Sequence, residues 1–404
     1  MLDAIFDCIR TSTPSARAQL AAALDSFTRE VQASRGGGDR RLLLRAEGDV
    51  RAAPEECFRL DATGGATLYA GGQRYAAGRF EVLSLRELGA RARGARELSG
   101  QREASLRVCI CDGAGPATDI GALQAFAPPR ALFQVASQFN CLEAPGPFIT
   151  EVADYLHDPT QGPRASVSAF PGTLLRHYAA PEQSSPAAHS AGLGATGRRF
   201  VQTSQGPQLN LLSAACRPGI AEVHSGYLRP TNIEAPVAFA NLLEEHFDRL
   251  CVGVHEEVQV VLGAEWDGAV SDSPHRRIAQ VFTSTMAAGM YGDLRGEDAS
   301  VPRILQTLQR LAYLGTLLAA AAHGKDVVVL TLIGGGVFGN PVPVIWGAIT
   351  WAITQVATQL HRDLLVVVNG RNLGEHIERQ VLADYAHQHG GLLLRFGKTA
   401  IEII

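Results

Sequence analysis

The stretch DVVVLTLIGGGVFGNPVPVIWGAITWAITQVATQL, residues 326–360, decides how the chain reads. Its apolar run 327–333 suits a strand buried on both faces. Gly334, Gly335 and Gly336 follow, then Val337, Phe338 and Gly339. Asn340 and Pro341 read as the cap and first position of a helix extending to about residue 360. A strand, a glycine loop and a helix in succession present backbone N–H groups to a phosphate or another anion. The 334–339 segment also satisfies G-x-G-x-x-G, the weak signature of a nicotinamide-dependent oxidoreductase. That signature normally opens a domain and is followed by an acidic residue on the next strand; here the next strand ends in Asn369 with little chain left. Glycines serving only a tight turn are the plainer alternative.

Working outward, a helix over 300–324 precedes this strand, and a strand over 364–369, a helix over 374–389 and a strand over 391–396 follow it. Strands alternating with helices imply a largely parallel sheet covered on both faces. Upstream, strands are expected at 106–111, Ala131–Ala136, 258–262 and 279–284, with helices within 166–178 and over 236–250. A long irregular stretch, 143–164, contains YLHDPTQGP, and the Ser/Ala/Gly-rich 182–199 reads as a mobile loop. Before about residue 102 the chain offers a helix after Thr13, a linker or loop SRGGGDRR over 34–41 and a short strand over 41–45. A hairpin turning at Gly71-Gly72 and a capping box of Ser84 with Glu87 come next. This part reads as a small N-terminal α+β subdomain, 1–102, with the main domain over 103–404.

With 404 residues, 46% hydrophobic and 19% charged, the chain can bury a sizeable core and is not of the disordered class. A net charge of −4 gives no support for a nucleic-acid partner. Seven cysteines with no C-x-x-C pair and no leading signal segment read as reduced thiols in an intracellular, cytoplasmic setting. No Cys/His group has metal-ligand spacing, so no metal is expected. The charge-free run 327–360 is long enough for a membrane span. Its three glycines, its N-P-x-P and its polar helix side (Thr350, Thr354, Gln355, Thr358 and Gln359) argue against one.

Ligands of open α/β sheets bind at the carboxyl ends of the strands. Two loops fall there. One is 334–340. The other starts after Ala131–Ala136 with Ser137, Gln138, Phe139 and Asn140, and runs through Glu143, Asp154, Asp158, Thr160, Gln161 and Gly162. Its carboxylates and amides can accept hydrogen bonds from sugar hydroxyls. A carboxylate there can orient water or stabilise an oxocarbenium-like centre at an anomeric carbon. Asp158, framed by D-P-T-Q-G-P, is the first candidate; a solvated loop or an Asx-turn is its bland alternative. There is neither a G-x-S-x-G nucleophile elbow nor a P-loop.

TLIGGGVFGNPVPVIWGAI resembles the second ligand loop of the macrodomain superfamily, G-[TV]-G-[IV]-[FY]-G-x-P. Gly334, Gly335, Gly336, Val337, Phe338, Gly339 and Pro341 match it. Where that family has N-A-A-N at the end of a strand, this chain has VASQFN, so the asparagine pair is missing. Asp119-Ile120 in ATDIGAL is similar to the family's adenine-binding G-D-I/V stretch. FQVASQFN-x-LE and D-x-TQGP resemble a divergent branch of MavL-type ADP-ribosyl hydrolases. The resemblance covers about 105–370 in patches. It implies a three-layer α/β/α sandwich with a mixed, largely parallel sheet and a bound ADP-ribose. It further implies hydrolysis of an N-glycosidic bond that joins ADP-ribose to arginine, with ubiquitin as a modified protein. Asp158, Glu143 and Asn140 would be catalytic. Asp119, Ile120, Gln138, Thr160, Gln161, Gly162 and 334–340 would bind the ligand, with no cofactor. The alternatives are a non-catalytic reader of ADP-ribose and, third, the oxidoreductase.

Overall fold

The structure is a computed structural model that describes residues 1–11, 13–100, 103–146, 148–182, 198–270, 276–289, 300–397 and 400–404. Most of the expected mobile loop 182–199 lies outside the described residues.

Thirteen strands are described. They are β1 (Phe58–Leu60), β2 (Ala66–Ala70), β3 (Gln73–Ser84), β4 (Leu106–Asp112), β5 (Ala131–Ala136), β6 (Ala180–Pro181), β7 (Arg199–Phe200), β8 (Cys251–Gln259), β9 (Arg277–Thr283), β10 (Val327–Thr331), β11 (Leu364–Gly370), β12 (Leu392–Phe396) and β13 (Ile401–Ile403). Apart from the short β6–β7 ladder, they form one sheet in the order β1-β2-β3-β8-β9-β5-β10-β11-β4-β12-β13. Six neighbouring strands, β9 to β12 in that order, run parallel, and antiparallel strands flank them on both sides. The α/β class and the mixed sheet with a parallel centre are as the sequence implies. Val327–Leu330 is fully buried between β5 and β11, which is why that run carries no polar alternation.

Helices cover both faces. On one side lie α5 (Leu85–Leu98), α9 (Pro236–Glu245), α10 (Ser300–Ala322) and α11 (Val342–Ala357), packed around α10. Trp346 of α11 meets Tyr385 of α12 (Arg379–Gln388) edge to face, with ring centroids 5.1 Å apart. On the other side lie α1 (Leu2–Thr11), α2 (Pro14–Ser34), α3 (Arg41–Ala52), α6 (Ile120–Ala125), α7 (Gln161–Ser168) and α8 (Phe170–Tyr178). The short α4 (Pro54–Cys57) leads into β1. No described helix is long and apolar enough to cross a membrane.

Several local expectations change. Residues 41–45 are not a strand but the start of α3, because Leu43, Ala46, Glu47 and Val50 bury one helical face. The strand expected at 258–262 is the tail of β8, whose apolar run is broken by Glu256, by a positive φ of 59° at Glu257 and by a register shift between His255 and Val258. The helix expected from 374 is a 3₁₀ turn, Leu373–Glu375, followed by α12. Asn340 does not cap α11; Pro341 occupies that position and Asn340 turns inward. The hairpin at Gly71-Gly72 and the Ser84/Glu87 capping box form as read. The sheet runs across the boundary expected near residue 102, since β3 pairs with β8 along Arg79–Ser84.

Candidate functional site

The parallel strands point their carboxyl ends at one edge of the sheet, where both candidate loops lie. After β5, Ser137 N–H extends the ladder to Thr283 O (3.0 Å) before the chain doubles back. Cys141, at φ 62°, makes that reversal, with its N–H on Gln138 O (2.9 Å). The Gln138 amide closes the loop on Ala144, accepting from its N–H (3.0 Å) and donating to its carbonyl (3.2 Å). Asn140 is fully buried; its oxygen accepts from Leu142 N–H (3.1 Å) and its NH2 donates to Gln208 (3.3 Å). Gln138 and Asn140 therefore spend their amides on the loop itself.

Two residues that sequence reading missed hold this loop from behind. Arg176 is fully buried, and it donates to Cys141 O (3.1 Å), to Thr173 Oγ1 (3.1 Å) and to His255 Nδ1 (2.9 Å). His255 Nε2 lies 2.7 Å from Ala77 O, so that nitrogen carries the proton and Nδ1 accepts. Burial lowers the Arg176 guanidinium to about 9. Tyr227 stands on a tight turn, 224–227, with positive φ at Ser225 and Gly226. Only glycine fits at 226, where a Cβ would come within 2.5 Å of the Asn140 side chain. Nothing in the spacing marks either residue; only the buried site does.

Glu143 is the chemically distinctive group. The residue is half-buried, but its Oε2 is closed off from solvent and hydrogen-bonds to nothing among the described residues. Its N–H donates to Tyr155 OH (3.2 Å). Its Oε1 lies against Gly162 so closely that a Cβ there would come within 2.2 Å. Burial, and then the nearby charge of Asp158, push its carboxyl well above the ordinary range. Asp158 itself accepts Thr160 N–H (2.9 Å) in an Asx-turn. Thr160 is exposed beside it.

Asp119 is buried and caps α6 through Ala122 N–H (3.0 Å). Its Oδ2 meets Arg164 Nη1 at 2.5 Å. Gln161 ties the two segments, accepting Ile120 N–H at 2.9 Å. Asp119, Ile120, Gln161 and Gly162 thus come together with Glu143 on one flank, and the Asp119 carboxylate is already engaged by Arg164.

The glycine loop forms the other flank. Asn340 is its hub: Oδ1 accepts from Thr285 Oγ1 and Gln309 Nε2 (both 2.9 Å), and Nδ2 donates to Met286 O and Phe338 O (both 3.0 Å). Tyr313 OH accepts Ile333 N–H (3.0 Å) and donates to Thr331 O (2.8 Å), so α10 grips both ends of the turn. The N–H groups of Gly334, Gly336 and Val337 take no acceptor among the described residues. That leaves backbone donors for an anion beside the start of α11. Phe338 packs against Tyr227, ring centroids 5.8 Å apart, and Tyr227 OH reaches Ala144 O (2.9 Å), which joins the two loops.

The glycines of this loop differ in what they tolerate. At Gly334, φ is 77° and a Cβ would sit 2.4 Å from Thr285 Cγ2; at Gly336 nothing lies within 4 Å. Gly334→Ala is expected to destabilise the chain by about 2 kcal/mol or more. Gly336→Ala is expected to leave stability within about 0.5 kcal/mol. Paired urea titrations check the difference.

No family model matches the chain, and no curated protein matches it. Among solved structures it is similar to poly(ADP-ribose) glycohydrolase from Deinococcus radiodurans in apo form. The TM-score is 0.40 and the identity 11%, over 77% of this chain and 93% of that one. A mutant of that enzyme in complex with ADP-ribose gives 0.39 and 15% over 76% and 95%. Poly(ADP-ribose) glycohydrolase from Thermomonospora curvata gives 0.36 and 14% over 81% and 92%. Overlap this loose carries neither residues nor activity from those enzymes to this chain.

Proposed function

We propose that the chain hydrolyses the glycosidic bond through which ADP-ribose is attached to a protein. The observation that carries this reading is Glu143, an enclosed carboxyl whose Oε2 has no hydrogen-bond partner among the described residues and whose pKa is raised by burial and then by the nearby Asp158. A raised carboxyl beside a second carboxylate is an arrangement that can divide acid from base. The open amides of Gly334, Gly336 and Val337 receive the diphosphate, and the distal ribose lies between Phe338 and the Glu143–Asp158 pair. As the anomeric C–N bond breaks, its electron pair stays on nitrogen, which takes a proton from Glu143. Water adds to the anomeric carbon, and Asp158 orients it and accepts its proton. The products are free ADP-ribose and the unmodified side chain. Asn140, Gln138 and Ile120 act by fixing the loops, and Thr160 and Gln161 line the ribose side. Neither step calls for a metal or cofactor.

The finer reading, an arginine linkage with ubiquitin as the modified protein, is supported by the likeness of FQVASQFN-x-LE and D-x-TQGP to MavL-type hydrolases. Arginine-ADP-ribosylated ubiquitin is accordingly the first substrate to offer. Release of free ADP-ribose by the wild type, and its loss in Asp158→Asn, is the expected result. Micromolar ADP-ribose binding without release would leave a reader. No ADP-ribose binding would overturn both readings.

A further inference from the structure

The first hundred residues touch the site at two places. From α3, the buried Glu47 accepts Val152 N–H (2.5 Å), Ala153 N–H (2.7 Å) and Tyr178 OH (2.7 Å). Val152 and Ala153 open the 3₁₀ turn Val152–His157, and Asp158 stands at its end. Within the turn, the fully buried Tyr155 receives Glu143 N–H. A carboxylate on the free N–H groups of a turn fixes its start and therefore its direction. The second grip falls on residues 263–269. Gly38 N–H meets Asp267 O (2.7 Å), Ala269 N–H meets Ser34 O (2.8 Å) and Arg40 Nη2 meets Glu265 O (2.8 Å). The SRGGGDRR segment, expected as a linker or loop, is a loop that makes contact. A Cβ on Gly38 would lie 2.6 Å from Gly268 O, which is why glycine stands there.

We propose that Glu47 is a positioning residue of the site, and that through the Val152–His157 turn it sets where Tyr155 and Asp158 stand relative to Glu143. The inference rests on the roles given to Glu143 and Asp158 under the proposed hydrolysis. Glu47 touches no reacting atom. It acts at the start of a turn whose middle binds the Glu143 backbone and whose end carries the charge that faces the Glu143 carboxyl. The ionisable groups along this path are Glu143, Asp158, Asp154 and His157 of the turn, Tyr155 with Arg176 behind it, and Tyr178, Glu151 and Arg51 around Glu47. Burial raises the Glu47 carboxyl, and its three hydrogen bonds oppose that rise.

In Glu47→Gln one of the two acceptor oxygens becomes an NH2 group facing backbone donors. Amide exchange at Val152 and Ala153 is expected to quicken about ten-fold or more, the free-energy equivalent of one lost hydrogen bond. Exchange in α10 should stay unchanged. The Glu143 carboxyl, followed by carbon-13 NMR against pH and assigned with Glu143→Gln, should titrate closer to the ordinary carboxylate range. Turnover should fall about ten-fold with KM within about two-fold, as for a displaced catalytic group. Should Glu47→Gln fail to fold, Val152→Pro removes one of the two N–H ties and leaves Glu47 in place. Proline suits the first position of a turn, and Glu151, at φ −62° and ψ 151°, suits the residue before it. It should shift the Glu143 titration in the same direction by less. A folded Glu47→Gln or Val152→Pro chain with wild-type Glu143 titration would overturn the proposal. The exchange and NMR readings need no turnover. An inactive wild type with a shifted titration would sink the hydrolysis and keep the positioning role.

Discussion

Glu143→Gln is expected to lower ADP-ribose release roughly 100- to 10,000-fold, the range for loss of a positioned proton donor, and to make the folded chain more stable above the pH at which the Glu143 carboxyl ionises. The two effects share one cause. Burial and Asp158 hold the Glu143 carboxyl protonated well above its unfolded range. A carboxyl raised by folding contributes stability that is fully present below its unfolded pKa, and that stability is lost as pH rises through the folded value. Above that value the wild type must bury an unpartnered charge or disturb the loop. Glutamine keeps the shape and cannot ionise, so the penalty disappears there, worth on the order of 1–3 kcal/mol for a buried unsatisfied group. Thermal melts of both proteins against pH should run together below the folded Glu143 value and separate above it, the variant above the wild type by several degrees. Glu47, raised with the same sign, leaves a residual slope in both. A variant less stable than the wild type above that pH would show that Glu143 has a structural partner and would remove it as the proton donor.

Asn340→Ala carries the second large effect, and it falls on binding. The side chain joins α10 through Gln309, the segment after β9 through Thr285 and Met286, and the loop through Phe338. Alanine leaves buried donors and acceptors unmatched, at a cost of about 3 kcal/mol. Because the loop's open amides depend on that hub for their direction, ADP-ribose affinity should fall about ten-fold or more, and inorganic diphosphate affinity in proportion. Calorimetric titrations with both ligands, beside a denaturant curve, check this. An unchanged affinity with lowered stability would place the anion away from this loop.

Much of the parallel centre was legible because it depends on short-range signals. Ala131–Ala136 matches its strand residue for residue, and Val327–Leu330, four apolar residues in a row, sits at the buried centre. The glycine loop was legible for the same reason. The role of Asn340 was not, since N-P reads as a helix start and only the tertiary packing of Gln309 and Thr285 turns the amide inward. Asp158 drew attention for its rigid frame. The enclosure that distinguishes Glu143 comes from Gly162, close in space and distant in sequence. Arg176, Tyr227 and Glu47 act across long separations, with no local pattern to announce them. The leucine run at 42–44 misled because three adjacent apolar residues fit a strand, while the burial follows Leu43, Ala46, Glu47 and Val50.

The order of the strands also dictates a schedule. Ser84 pairs with Cys251, and Cys109 of β4 takes Val367 on one side and Leu392 on the other. During synthesis, β3 leaves the ribosome with one edge unmatched until Gln259 has emerged, and β4 waits longer, for Leu364–Gly370 and Leu392–Phe396. Pairings so remote make closure slow and leave sticky intermediates in the meantime. The nascent N-terminal hairpin therefore waits for β8, and β12 releases β4 from waiting.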